Sequence, residues 1–256
     1  MKATDRNFAS LILEPDWIRQ SLQAPLPGNN AHARMSGRAP QTMQIPEGAA
    51  QAAVMIAFLD GATDASNDPK MHNGPDRTMG TGMEQSDSAP ESQPGPGTEG
   101  SATNPGRFPL ILRPGNQGPH SGQISLPGGK REPGESLEET ALRETEEEIG
   151  LDASRIQVLG KLTPLYIPVS GFAVHPFVGW FSDAPRFRRD PLEVDEILFY
   201  DLLRLSHPDF RTVFDFSYNG TNFQSPGFKL EDRVIWGATA MILMELTEHL
   251  LSIANQ

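Results

Sequence analysis

The chain of 256 residues has no cysteine, which excludes disulfides, thiolate metal sites and a cysteine nucleophile and fits a reducing compartment. It also has no apolar run approaching the ~18 residues that a membrane-spanning helix needs. The opening segment MKATDRNFAS lacks the apolar core of a secretory signal, so a soluble, cytoplasmic protein with no membrane contact is expected. Positive charge is scarce: 21 lysines and arginines face 33 acidic residues, for a formal net charge of -12. Nucleic-acid binding rests on basic groups that neutralise phosphates, so a nucleic-acid partner is not expected. A small anionic substrate stays compatible, because a metal and a few basic groups neutralise its charge locally. The acidity is also compatible with a high-salt cytoplasm, a reading that fails if stability and activity ignore added molar salt.

One further absence divides the chain. Residues 61 to 106 contain no Leu, Ile, Val, Phe, Tyr or Trp. Such a segment cannot bury enough apolar surface to offset its ordering entropy, and it reads as a disordered low-complexity insertion without a catalytic role. Closing a long loop costs only logarithmically more with length. The flanking apolar runs, AAVMIAFLD from Ala52 to Asp60 and RFPLILRP from Arg107 to Pro114, are therefore expected to be strands that pair with each other. Residues 1–50, broken by proline and glycine, form an N-terminal arm with a short helix at Asp16 to Leu22, and 51–256 form the domain that carries the insertion.

What the chain does have is concentrated between His120 and Leu151, HSGQISLPGGKREPGESLEETALRETEEEIGL. Ser136 followed by Glu139 is a capping-box pattern that starts a helix, and Gly150 supplies its stop. Leu137, Ala141, Leu142 and Ile149 fall on one side of that helix and should face a core. Glu144, Glu147 and Glu148 project from nearly one direction, where like charges repel by a few tenths of a kcal/mol per pair. A divalent cation offsets that repulsion, since hard Mg²⁺ takes carboxylate oxygens and bridges to substrate phosphates. A charge run by itself is more often a solvated face.

Spacing weighs against the solvated face. Gly129 is followed after five residues by Glu135, then after seven by Arg143-Glu144, after two by Glu147-Glu148 and after one by Gly150-Leu151. This resembles the Nudix box, the signature of hydrolases that cut a nucleoside diphosphate linked to a further moiety. Every charged and glycine position is matched; Thr145 stands where the family usually has an aliphatic residue. The resemblance implies an α+β domain, an α/β/α sandwich with a mixed β-sheet in which the box forms a loop-helix-loop. It implies Mg²⁺ or Mn²⁺ held by Glu144 and Glu148, with Glu147 as a further ligand or as the residue that holds the attacking water. It further implies a Gly129 carbonyl on the metal and an Arg143–Glu135 pair that fixes the loop to the helix.

Cleaving a phosphoanhydride requires charge neutralisation, an aligned water and a proton acceptor. Glu193, outside the box, is a candidate for an extra carboxylate on metal or water, against the alternative of a surface acid at the start of a strand over Glu193 to Tyr200. Which glutamate is the general base stays open. His120 and His175 have no assigned role, since a lone histidine is more often structural than catalytic.

The flanks narrow the substrate. Arg113, Gly122 and Leu126-Pro127-Gly128-Gly129, with the later YIPVSGFAVHPFVG and IWGATAMIL, resemble the coenzyme A pyrophosphatase branch, which cuts CoA into 3′,5′-ADP and 4′-phosphopantetheine. The chain departs from that motif at Pro114, at Gly118, where a second arginine is usual, and at Leu126. The basic groups left for a 3′-phosphate are Arg113, Lys130 and Arg131, and Arg113, Gly128 and Lys130 are the expected substrate contacts. Arg34 or Arg38 of the arm reaching the substrate is an alternative to a purely packing arm. ADP-ribose, NADH, a nucleoside triphosphate or a nucleotide-sensing role without catalysis are the competing functions. A homodimer is compatible with the sequence, which leaves the oligomeric state open.

Overall fold

The computed structural model describes residues 13–60, 106–115, 120–218, 221–230 and 233–256; the insertion expected over 61 to 106, apart from Gly106, lies outside them, as does Gly118. Strand β1 (Ala50–Leu59) is a nearly unbroken apolar run, the pattern of a strand covered on both faces. It pairs parallel with β7 (Phe172–Phe181), from Ala50 opposite Phe172 to Leu59 opposite Phe181, and antiparallel on its other edge with β4 (Gly128–Lys130). Strands β5 (Ile156–Lys161) and β6 (Leu165–Ile167) pair antiparallel with β7, completing a mixed five-stranded sheet.

The two apolar runs beside the insertion do not pair with each other. One edge of β1 is paired along its whole length with β7 and the other begins with β4 at Ala52 to Val54, and β2 (Arg107–Leu112) is not hydrogen-bonded to it. Instead β2 lies between β3 (Ile124–Ser125) and β8 (Glu196–Asp201) in a second, antiparallel sheet. The strand expected from Glu193 starts at Glu196; Val194 is buried with its amide on Asp190, which holds Glu193 in a turn.

Helix α3 (Leu137–Ile149) covers one face of the larger sheet, where Ala141 and Ile149 join Ala53, Met55 and Ala57 in one apolar cluster. On the other side Ile56, Phe58 and Trp180 pack in one cluster with Phe108, with Leu202 and Leu205 of the short helix α4 (Leu202–Ser206) and with the last helix, α5 (Gly237–Ala254), whose Met241 and Met244 are core residues. The result is an α+β domain with helices on both faces of a mixed sheet. Ile235, just before α5, belongs to β11 (Arg233–Trp236), the last strand of a meander with β9 (Arg211–Tyr218) and β10 (Thr221–Leu230).

Helices α1 (Pro15–Ser21) and α2 (Asn29–Ala33) pack on α5 through Ile18, Ala31 and His32. Glu245, the acidic residue within the apolar series of α5, is fully buried. Its carboxylate meets His32 Nε2 at 3.0 Å and accepts from the backbone N–H of Gly28 at 3.1 Å and of Thr163 at 3.2 Å. One carboxylate thus ties the N-terminal segment and the β5–β6 connection to the last helix.

Candidate functional site

The site is built where α3 crosses β4. The Ser136 hydroxyl accepts from the Glu139 amide, the Glu139 carboxylate accepts from the Ser136 amide, and Gly150 ends the helix in the left-handed conformation at φ 72°. Thr145 is fully buried, and its hydroxyl donates to the Ala141 carbonyl one turn back at 2.7 Å. The departure from an aliphatic residue thus leaves no polar atom unpaired in the core.

Beneath the helix, Gly128 and Gly129 allow two close approaches. A Cβ on Gly128, whose φ is +148°, would lie 2.3 Å from the Ala53 carbonyl oxygen, and one on Gly129 would lie 2.5 Å from the Glu144 carboxylate. Any side chain at position 129 would displace the glutamate above it.

Three carboxylates converge here. Glu144, Glu148 and Glu193 each offer an oxygen within 4.8 Å of the others. Glu148 is 1% exposed; its Oε2 accepts from the Gly128 amide at 2.8 Å, while Oε1 has no hydrogen-bond donor and faces the Arg113 guanidinium at 3.5 Å. Burial pushes the Glu148 carboxyl up to about 8, against the opposing pull of Arg113 and the Gly128 amide. Burial raises Glu144 as well, partly countered by Arg143. Glu193 arrives from a different segment: the Arg188 amide donates to the Ile149 carbonyl and the Asp190 amide to the Glu148 carbonyl, docking the loop before β8 along the end of α3.

Arg143 anchors the preceding loop. It donates to both oxygens of Glu135, at 2.5 and 3.2 Å, to Glu144 at 2.9 Å and to the Lys130 carbonyl at 3.2 Å. The guanidinium holds the Glu135 carboxyl down to about 2. Glu147 also accepts from Arg143, at 2.7 Å; its side chain is 59% exposed and is not in the group of three. Arg113 donates to the Ser125 hydroxyl at 3.0 Å and to the Gly128 carbonyl at 3.1 Å, so its guanidinium is engaged with the glycine turn and with Glu148. The Lys130 side chain is exposed.

The remaining candidates lie elsewhere. Arg34 pairs with Glu248 of α5, and Arg38 donates to the Tyr166 carbonyl at 3.5 Å. His120 meets Gln123 at 3.2 Å. His175 meets Gln51 at 2.7 Å, and burial together with Lys161 keeps its pKa below the ordinary histidine value. Two features escaped the sequence reading: the Arg113 contacts with Gly128 and Glu148, and the Gln51–His175 pair. Each joins groups carried by different segments of the chain, Gln51 and His175 through the pairing of β1 with β7.

A mixed sheet carrying a capped acidic helix over a diglycine strand, with a third carboxylate from a docked loop, defines a candidate centre for chemistry on phosphate esters or anhydrides. The NUDIX domain model matches residues 102–213. The chain is 42% identical over 133 residues to an uncharacterized Nudix hydrolase, NudL, of Yersinia enterocolitica, covering 50% of this chain and 66% of the relative. A NudL of Yersinia pestis is 39% identical over 133 residues, covering 50% and 65%; the match thus falls just short of two thirds of either relative's length. Among solved structures, a MutT protein from Methanosarcina mazei aligns with TM-score 0.41 and 14% identity over 81% of this chain and 96% of that one. A Caenorhabditis elegans Ap4A hydrolase binary complex aligns with TM-score 0.37 and 13% identity over 60% and 80%. Residues 102–213 thus match the NUDIX domain, and the chain is similar to Nudix hydrolases over half its length.

Proposed function

We propose that this chain is a divalent-metal-dependent pyrophosphohydrolase that cleaves the diphosphate of CoA or acyl-CoA into 3′,5′-ADP and (acyl-)4′-phosphopantetheine. The observation that carries the hydrolase reading is the meeting of Glu144, Glu148 and Glu193 within 4.8 Å, with one buried Glu148 oxygen lacking a hydrogen-bond donor. Three carboxylates so close repel unless a cation or protons neutralise them. An all-oxygen donor set of this kind suits Mg²⁺ or Mn²⁺. Glu144, Glu148 and Glu193 would hold the cation, with Glu147 and the Gly129 carbonyl as further donors. When bound, the metal neutralises phosphate charge and lowers the pKa of coordinated water.

The chain's own groups supply the rest. Water attacks one phosphorus, a new P–O bond forms, and the bond from that phosphorus to the bridging oxygen breaks. The bridging oxygen leaves on the second phosphate, and the proton from water passes to a glutamate of the cluster. Arg113 steadies the glycine turn and the Glu148 carboxylate, while Arg143 and Glu135 keep the loop on the helix. The exposed Lys130 is a cation free to meet substrate phosphate. The CoA assignment rests on the resemblance of the flanking motifs.

Incubation with CoA, acetyl-CoA, NADH, ADP-ribose and deoxynucleoside triphosphates in Mg²⁺ or Mn²⁺, with products identified by mass, tests both levels. 3′,5′-ADP from CoA supports the full proposal. Turnover of another member without 3′,5′-ADP from CoA keeps the hydrolase and removes CoA, and no turnover of any member favours a nucleotide sensor.

A further inference from the structure

The meander of β9, β10 and β11 is outside the carboxylate site, and its outer strand has unspent bonding capacity. β10 pairs on one side with β11 and on the other with β9, so β9 is the sheet edge. Among the described residues, no other strand bonds to the outer backbone of β9; its one contact there is within the strand, the Thr212 hydroxyl donating to the Val213 carbonyl at 3.5 Å. A bare edge strand is a template for another strand, and proteins that stay monomeric usually protect it with proline, a bulge or a run of like charges. β9 reads Arg-Thr-Val-Phe-Asp-Phe over 211–216 and carries no proline.

Side chains alternate along it. Arg211, Val213 and Asp215 share one face and are all exposed, Val213 at 63%. The other face carries Phe214 and Phe216, which continue through Trp236 and Phe223: Phe216 and Phe223 stack at 5.5 Å, Phe216 and Trp236 lie 4.7 Å apart, and Phe223 is 44% exposed. Aromatic and aliphatic surface is therefore left in water on both faces of one edge.

The charge order along the exposed face selects the occupant. Antiparallel pairing of β9 with the β9 of a second copy, centred on Val213, sets Arg211 of each chain opposite Asp215 of the other and the two Val213 side chains against each other on the two-fold axis. A basic residue and an acidic residue placed two positions either side of an apolar centre are complementary to themselves only in the antiparallel sense; parallel in-register pairing sets Arg211 on Arg211 and Asp215 on Asp215. Opposite charges directly across two strands stabilise the pair, and like charges destabilise it. We infer that β9 is the interface of a symmetric homodimer, in which two three-stranded meanders join edge to edge as one six-stranded sheet with a continuous aromatic stripe. Such an interface is isologous and closes at two copies, so it does not propagate into a fibre. Each chain's net charge of -12 opposes approach at long range, but that repulsion is screened beyond ~8 Å at physiological ionic strength, whereas the cross-strand pairs act at contact.

The experiment is light scattering on a sizing column at moderate salt and high micromolar protein, with wild type, Val213→Lys, Arg211→Asp, Asp215→Arg and the double swap Arg211→Asp/Asp215→Arg. Circular dichroism checks that each variant is folded. Wild type is expected at twice the chain mass, and Val213→Lys, which sets two ammonium groups on the axis, at the monomer mass. Each charge reversal alone is expected to be monomeric, the double swap to dimerise again, and the two single variants to dimerise when mixed. The mixed sample keeps the question open to refutation even if the double swap fails to fold. A monomeric wild type, or dimers that persist unchanged in Val213→Lys and in both single reversals, overturns the proposal.

Discussion

The backbone amide of Gly128 donates to Oε2 of Glu148 across 2.8 Å, joining the short strand β4 to the last turn of α3. The glycine and the glutamate are 20 residues apart, and the bond exists because position 128 has no Cβ to hold the strands away. It fixes one oxygen of a buried carboxylate and leaves the other without a hydrogen-bond donor, facing the Arg113 guanidinium at 3.5 Å.

Replacing Glu148 with Gln keeps the size of the side chain and its acceptor for the Gly128 amide but removes the charge. Metal-dependent turnover should fall by more than ~100-fold, the upper range for loss of even an outer-shell partner of a metal site, while the circular dichroism spectrum is retained. Unchanged kcat refutes the metal assignment.

Stability should depend on pH in an unusual direction. The Glu148 carboxyl titrates near 8 in the folded chain against 4.5 ordinarily, so between these values the folded state holds a proton that the unfolded state has released. Stability therefore declines as pH rises through that window and levels off above it. In chelator, Tm of wild type minus Tm of Glu148→Gln should drop from pH 5 to pH 8. Added Mg²⁺, which competes with that proton, should raise the wild-type Tm more at pH 8 than at pH 5.5. A Tm difference that is flat or rises with pH in chelator counts against the buried carboxylate.

The two glycines should fail differently. Gly129→Ala drives a methyl into the Glu144 carboxylate, a flexible group that can move aside, so the fold survives and metal-dependent kcat drops. Gly128→Ala meets the Ala53 backbone and the adjoining Val54, which cannot retreat, and overpacking of this kind costs about 1–3 kcal/mol or more. Thermal melts beside kinetics separate the two; equal losses of Tm would refute the distinction.

Arg143→Lys retains the charge but loses the fork that spans Glu135, Glu144 and the Lys130 carbonyl. Activity should fall about 10- to 100-fold, with weaker Mg²⁺ affinity as the larger part of the loss. A lysine variant with wild-type metal titration would reduce Arg143 to a surface residue.

How far the sequence could be read depended on how local the determinants were. The helix from Leu137 to Ile149 was legible to within a residue because a capping box and a glycine stop are encoded a few positions apart. Thr145 stood out in the sequence only as a departure from an aliphatic residue, and its burial is met locally, by the Ala141 carbonyl one turn back in the same helix. Pairing partners were not, since β1 is matched to β7 by packing with both helical layers, which no nearby residue records. Glu193 was nominated but placed at a strand start, because the loop that carries it is shaped by amides docking on the backbone of α3. Glu245 stood apart in the apolar series of the last helix, and nothing nearby announced that His32, Gly28 and Thr163 would surround it.

The parallel union of β1 with β7 has a consequence for how the chain comes off the ribosome. β1 is made early, yet its partner along all ten positions, Phe172 to Phe181, is translated more than a hundred residues later. At the usual ~5–20 residues per second, that leaves an almost wholly apolar strand waiting several seconds for its neighbour. β4 is finished sooner but covers only Ala52 to Val54, so most of the run stays open meanwhile. The central strand of the finished sheet is thus an adhesive segment left largely unpaired in the nascent chain, and the yield of folded protein should respond to chaperone supply during synthesis more than to the stability of the completed domain.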